Sequence, residues 1–332
     1  VSKKNRTTVR TARWAFRRVA LRAIHPLSPD GAAAMAAHWF LLPDLGRDRR
    51  PVANGNQDGR RFEVLAGNVR LAAWEWGPTG SSGLIRHQIG AETVRSGGPA
   101  GAPAVLLAHG WNGRGRQLAA VARAIAARGY RAVAFDMPGH GASGGRLASI
   151  PTMADAIAGV DDAIGGAEAI VAHSLGAVAA TYALSRGLSA RRAVYVAPPV
   201  SPARWIDHFS RAVGLPDAMR PRLMKNVEAR AGVPAAALDP LVLAPRLAAA
   251  LLVIHDEGDR EVPLAAGAAL ADAWPGARLV VTSGLGHNRL LADPDVIATI
   301  VDAAAPEQRL ATPAPIELRE PHLAEVADAV RF

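Results

Sequence analysis

Ser174 lies within Ile170-Val171-Ala172-His173-Ser174-Leu175-Gly176-Ala177, between an apolar run (Ala169 to Ala172) and a helix-forming run (Leu175 to Leu184). A buried strand that turns into a helix with no loop must bend sharply. The residue at the bend is strained, and its neighbours must be small so that strand and helix do not collide. The pattern here is A-x-S-x-G, with Ala172 where a first glycine is usual. Such a bend holds a hydroxyl out as a nucleophile, which needs a base, an acid to orient the base, and donors for a developing oxyanion.

In an open parallel sheet those partners belong at the carboxyl ends of other strands. The stretch His255-Asp256-Glu257-Gly258-Asp259-Arg260-Glu261-Val262-Pro263 follows one apolar run. Asp259, between the strand end and the helix opened by Pro263, is assigned the orienting role, with Asp256 as runner-up. Ser283-Gly284-Leu285-Gly286-His287-Asn288-Arg289 follows the next run, and His287 is the candidate base. Earlier, His109-Gly110-Trp111-Asn112-Gly113 follows the run at Val105. Gly110 permits a turn that aims the N–H of Trp111, and the N–H of Leu175 at a helix start supplies the second oxyanion donor. His109, Gly110 and His173 are assigned to substrate contact, the ring of His173 being turned away from the hydroxyl. Asp136 and His140, in Asp136-Met137-Pro138-Gly139-His140-Gly141-Ala142-Ser143, are too close in sequence to form a relay with that serine and are read as fixing a turn.

The elements that must position these groups alternate regularly. Apolar runs at 104–108, 132–135, 169–172, 193–196, 251–255 and 278–282 are separated by helical patterns at 117–128, 153–164, 175–184, 264–273 and 296–304. Continuous apolar strands separated by helices predict a doubly wound, mostly parallel α/β sheet covered on both faces. Two strands, Phe62 to Leu65 and Val69 to Trp76, form a hairpin at Gly67-Asn68, with a further short strand at Leu84 to Ile89. Residues 198–248 interrupt the rhythm with helical patches at 201–213 and 223–231. The chain is divided into a basic arm and linker (1–60), a core domain (61–304) and a proline-punctuated tail (305–332) with a short helix at His322 to Val330.

Charge is uneven. The 332 residues carry a formal net charge of +9. Residues 1–50 hold eleven Lys/Arg and three acids, so nearly all the excess belongs to the arm. That location, with no recognition motif, argues against nucleic acid as a partner. Arg6, Arg10, Arg13 and Arg17 fall on one helical face, and Val9, Phe16, Val19, Ala20 and Ala23 largely on another. The arm is expected to pack on the body through that apolar face and solvate the basic one. The competing reading is peripheral association of residues 1–24 with an anionic membrane. Charges interrupt every apolar run in the arm, so a spanning helix or a secretion signal is not expected there. The chain has no cysteine, which excludes disulfides and thiolate chemistry and is compatible with a cytoplasmic location. Motifs for a metal or a nucleotide cofactor are lacking, so none is expected.

The order Ser174, Asp259, His287, together with His109-Gly110-Trp111, Asp136-Met137-Pro138-Gly139-His140-Gly141 and Ala172-His173-Ser174-Leu175-Gly176, resembles the α/β-hydrolase superfamily, especially its compact bacterial esterase-like branch. The resemblance runs from about Phe62 to Ala304. It implies a catalytic triad of those three residues, a cap at 198–248 inserted after the sixth core strand, and hydrolysis of a carboxylic ester through an acyl-enzyme. The substrate is then a small acyl compound. Thioesterase, amidase and acyltransferase chemistry use the same triad. A reading of another class is a non-catalytic membrane-surface binding protein on a hydrolase scaffold, against which the complete triad argues. Oligomeric state is not legible.

Overall fold

The computed structural model describes residues 3–43, 59–77, 84–89, 92–97 and 101–307, with the backbone alone for 3–12 and 84–97. Most of the 44–60 linker and the helix expected at 322–330 lie outside the described residues. The chain opens with helices α1 (Lys3–Ile24) and α2 (Pro29–Phe40). Strands β1 (Arg60–Ala66) and β2 (Val69–Trp76) follow as the expected hairpin. β3 (Leu84–Ile89) and β4 (Glu92–Gly97) form a separate antiparallel ribbon.

The alternating part then runs β5 (Ala104–Ala108), α3 (Ala119–Ala127), β6 (Arg131–Phe135), α4 (Ile150–Ile164), β7 (Ala169–His173), α5 (Leu175–Ser185) and β8 (Arg192–Val196). An insertion holds α6 (Pro202–Ala212), α7 (Arg220–Ala231) and the four-residue α8 (Pro240–Leu243). β9 (Ala250–Asp256), α9 (Leu264–Ala273), β10 (Arg278–Thr282), the short α10 (Gly286–Arg289) and α11 (Pro294–Ala304) complete the order. Eight strands form one sheet, β1-β2-β6-β5-β7-β8-β9-β10, antiparallel only at β1/β2 and β2/β6. This is the doubly wound, mostly parallel α/β sheet expected, with the insertion after its sixth strand.

Both faces of the sheet are covered, which is why β5, β6 and β7 are buried throughout and apolar except at Arg131 and His173. One face packs α4, α5 and α9 through Met153, Ile157, Ala180 and Leu270. The other packs α3 and α11 through Val121, Ile125 and Ile300. α4 begins three residues earlier than its apolar pattern suggests. Ser149 Oγ accepts the N–H of Thr152, and Pro151 is tolerated in the first turn, where its missing N–H would have had no partner. A further cluster joins α1 and α2 to α6 and α7 through Leu21, Ala33, Ala37, Ile206, Phe209 and Leu223. The N-terminal helices thus pack on the insertion.

Two loops at the carboxyl ends of β5 and β6 are stapled together. His109 Nε2 accepts the N–H of Met137 at 2.9 Å, and His140 Nε2 accepts the N–H of Asn112 at 3.2 Å. Their Nδ1–H groups donate to Gly110 O at 2.6 Å and Pro138 O at 2.9 Å. Asp136 bridges the same loops, accepting Gly115 N–H at 2.8 Å and Ala142 N–H at 2.7 Å. Asp136 and His140 therefore fix the turn. Burial holds both imidazoles neutral, pulling each down to about 4. Protonation would also set N–H against N–H at Nε2.

An unfolded imidazole takes up its proton near 6.5. The unfolded chain therefore binds more protons between about pH 6.5 and 4, and stability rises with pH across that window. Burial raises the Asp136 carboxyl, which works the other way, but only one group does so here. The two histidines contribute stability that is complete above about pH 6.5 and lost toward pH 4, on the order of 1–3 kcal/mol each. The melting temperature should fall steadily from about pH 7 to pH 4.5; a flat profile would show that the staple does not hold neutral imidazoles.

Candidate active site

The bend after β7 is as sharp as the sequence requires. Ser174 has φ 52° and ψ −127°, a left-handed conformation that a serine adopts only under constraint. Its N–H is held by Val196 O of the neighbouring strand at 2.9 Å. α5 begins at Leu175, so the strand passes into the helix directly. Gly176 has no room for a side chain: a Cβ there would lie 2.5 Å from His109 O and 2.9 Å from Ala108 O. Ala172, two residues before the serine, is buried in the core cluster that also holds Ala177 and Ala180 of α5.

The three residues expected to act together are brought together. His287 Nε2 lies 3.0 Å from Ser174 Oγ, and His287 Nδ1 lies 2.7 Å from Asp259 Oδ2. Asp259 and His287 are both buried, while Ser174 is half-buried. The other carboxylate oxygen, Asp259 Oδ1, accepts the N–H groups of Glu261 at 2.8 Å and Val262 at 2.9 Å. The carboxylate is thereby aimed at the ring with its second oxygen satisfied. Arranged so, a hydroxyl can pass its proton to the imidazole while the carboxylate balances the charge that forms.

Asp256, the runner-up, is placed elsewhere. Its Oδ1 accepts Gly258 N–H at 3.0 Å; its Oδ2 accepts Thr282 Oγ1–H and Leu285 N–H, both at 2.9 Å. Burial pushes this carboxyl up, but bonds from Gly286, Leu285, Thr282 and Gly258 outweigh it and the net shift is downward. Asp256 ties the end of β9 to the loop that leads into His287. That residue sits on the four-residue α10, where the sequence suggested a glycine loop.

His173 and His109 are buried and bonded to the backbone. His173 is 5% exposed, and its Nε2–H donates to the backbone carbonyl of His287 at 3.0 Å. Burial, with the His287 ring 4.8 Å away, lowers it to about 4 and keeps it neutral. What the ring meets is the backbone of His287. His109 is 1% exposed and spends both ring nitrogens on the loop staple. The expected substrate contact is corrected for His109, whose buried ring has both nitrogens bonded to the backbone; His173 is likewise buried and spends Nε2 on the backbone of His287. Gly110 does border the nucleophile, since a Cβ there would lie 2.8 Å from Ser174 Cβ. Trp111, the next residue, is half-buried and its ring meets His140 at 5.3 Å.

Leu175, Tyr182, Trp205 and Val233 pack on Ile150, Val178 and Leu238, forming an apolar wall between α5 and the insertion. A small apolar pocket continues from Ile150, Trp205 and Leu238 toward Phe40 and Leu41 at the end of α2. Among the described residues, no group of three or more His, Asp or Glu side chains is arranged to hold a metal ion. No described helix is long and apolar enough to cross a membrane.

Residues 105–300 match the model of the alpha/beta hydrolase family. No curated protein sequence matches the chain. Rv0554 from Mycobacterium tuberculosis superposes with a TM-score of 0.55 at 20% identity, over 75% of this chain and 100% of that one. A thermophilic esterase from Thermogutta terrifontis gives 0.51 at 18%, over 74% and 97%. Est1E from Butyrivibrio proteoclasticus, solved with ferulic acid bound, gives 0.53 at 17%, over 73% and 98%. At such identities the structural likeness speaks to the fold. With more than half of its length matched by that family's model, and that fold built around the bend at Ser174, the chain belongs to the alpha/beta hydrolase family.

Proposed function

We propose that this hydrolase cleaves carboxylic esters through an acyl-enzyme on Ser174. The observation that carries the reading is the unbroken hydrogen-bonded line from Asp259 through His287 to Ser174, at 2.7 and 3.0 Å. In the first step Ser174 Oγ attacks the ester carbonyl carbon as His287 Nε2 takes the hydroxyl proton. Asp259 holds Nδ1–H and stabilises the imidazolium. The carbonyl oxygen, now negative, is bound by the N–H groups of Leu175 and Trp111. The tetrahedral centre collapses, the ester C–O bond breaks, and the leaving alcohol takes the proton from His287. Water then attacks the acyl-enzyme by the same route and frees the acid.

Two features of the site support the donor assignment. Leu175 is the first residue of α5, where N–H groups have no acceptor within their own helix. The loop carrying Trp111 is pressed against Ser174 at Gly110 and stapled behind by His109 and His140. The apolar wall of Leu175, Ile150, Trp205 and Leu238 favours an apolar acyl group over a charged one. His173 acts as a positioning residue, fixing the backbone of His287 from the side away from the substrate.

A fluorophosphonate probe should label the parent protein once, and Ser174→Ala should abolish labelling without lowering the melting temperature. Labelling that persists in the variant would assign the nucleophile elsewhere. Asp259→Asn should lower kcat on p-nitrophenyl esters by on the order of 10³–10⁴ with KM nearly unchanged, because the ring loses its orienting charge. His173→Phe should cost about 10-fold to 100-fold in kcat, again with little change in KM, because only the placement of the base is loosened. A change confined to KM would make His173 a binding residue instead.

A further inference from the structure

α1 is docked the opposite way round from its hydrophobic pattern. The side turned to the protein carries Trp14, Arg17, Leu21 and Ile24. Arg17 is 7% exposed, its guanidinium 5.3 Å from the Trp14 ring centre and 5.8 Å from that of Trp39. Trp14 in turn meets Phe209 of α6 at 5.8 Å. This corrects the expected orientation. Arg17 was read as part of a solvated face, and Phe16 and Val19 as the packing face. Two tryptophan rings offer a guanidinium what an apolar contact would otherwise supply, so the arginine goes in and the apolar stripe goes out.

At 3.6 residues per turn, the outward side carries Ala15, Phe16, Val19 and Ala23, all exposed. Phe16 is 67% and Val19 66% exposed, and Leu27, just beyond the helix, is 87% exposed. The other exposed large apolar side chains among the described residues, Leu65, Val242 and Val281, are scattered over three separate elements. The apolar stripe is therefore a local concentration and not the ordinary scatter of a protein surface. Exposed arginines border it, Arg18 and Arg22 on one side and Arg13 on the other. No acid precedes Asp30 in the chain, and Asp30 is paired with Arg222 at 3.1 Å.

We propose that this outward face of α1 seats the protein on an anionic phospholipid surface. Phe16, Val19 and Leu27 enter the boundary between headgroups and acyl chains, and Arg13, Arg18 and Arg22 meet the phosphates. An apolar stripe flanked by cations, on a helix too polar to span, suits the plane of a bilayer interface. Excess positive charge in residues 1–50 supplies the complementarity. α1 is tied to α6 by the Trp14–Phe209 contact and by Arg18 Nε–H donating to Ala212 O at 2.7 Å. Adsorption through α1 therefore turns the helical insertion toward the lipid. Nothing in the proposal depends on the chemistry assigned to Ser174.

The test is co-sedimentation of the full chain with vesicles of phosphatidylcholine alone and of phosphatidylcholine with phosphatidylglycerol. Binding is expected to the anionic vesicles, weakening as salt is raised. Phe16→Glu with Val19→Glu should lower partitioning by about tenfold or more. Phe16 also meets the Trp39 ring, at 6.3 Å, so a second pair, Ala15→Glu with Ala23→Glu, charges the same face and leaves that contact in place. Circular dichroism and melting temperature establish that each variant is folded. Equal binding by folded variants and parent, or equal binding to neutral and anionic vesicles, would overturn the proposal. So would a parent dimer that the glutamates dissociate while neither form binds lipid, which would make a second copy the occupant of this face.

Discussion

Everything at this site depends on one strained residue. Holding Ser174 at φ 52° costs on the order of 1–3 kcal/mol, and such a conformation persists only where its surroundings leave no alternative. β7 supplies most of that constraint. It lies between β5 and β8, is buried along its whole length, and is in register with both. The chain cannot relax backward without breaking ladder bonds. Nor can it relax forward, because α5 packs on α4 and on the sheet. The remaining freedom is removed where Gly176 lets α5 approach the carbonyls of Ala108 and His109. That approach also brings the loop after β5 against the serine, so the bend and the placement of that loop are consequences of one contact.

A second economy is the use of neutral histidines as hydrogen-bonding struts. His109 and His140 join two loops, and His173 supports the backbone of His287. Each is buried and held well below its ordinary value, so each presents one donor and one acceptor at neutral pH. A lysine or carboxylate in the same position would bury a charge, and an amide would not fill the same volume. The two aspartates after β9 divide their labour in the same spirit. Asp256 spends one oxygen on Thr282 and the loop that leads to His287, while Asp259 keeps one oxygen for the His287 ring itself.

The mostly parallel sheet and the grouping of Ser174, His287 and Asp259 were legible because they depend on simple rules. A strand covered on both faces must be a continuous apolar run, and catalytic groups must follow strand ends. Asp259 could be preferred to Asp256 because it lies farther along the loop, toward the next helix. What sequence could not supply was the direction of individual rings. His173 adjoins Ser174 in the chain and His109 follows the strand beside it, yet each commits its Nε2 to a backbone group far away in sequence, 114 and 28 residues off respectively. The α10 turn was hidden by its four residues, the first of them Gly286, and by Gly284 just before it. In α1 a hydrophobicity pattern counts arginine as polar everywhere, and so misjudges Arg17, whose surroundings are aromatic.

That misjudged helix changes how the insertion should be understood. α6 and α7 pack on each other, but their buried side chains, Ile206, Phe209, Leu223 and Val227, form one cluster with Leu21, Ala33 and Ala37 of the N-terminal helices. Two short helices of 11 and 12 residues bury too little surface to hold a fixed geometry by themselves. Joined by α1 and α2 they become a four-helix layer whose parts lie nearly two hundred residues apart in sequence, as in the Arg18–Ala212 and Asp30–Arg222 contacts. The pocket beside the active-site wall has Phe40 and Leu41 on one side and Trp205 and Leu238 on the other. Its shape is therefore set jointly by the end of α2 and by the insertion. The N-terminal segment and the insertion are one packed unit, and the pocket between them exists only where both are in place.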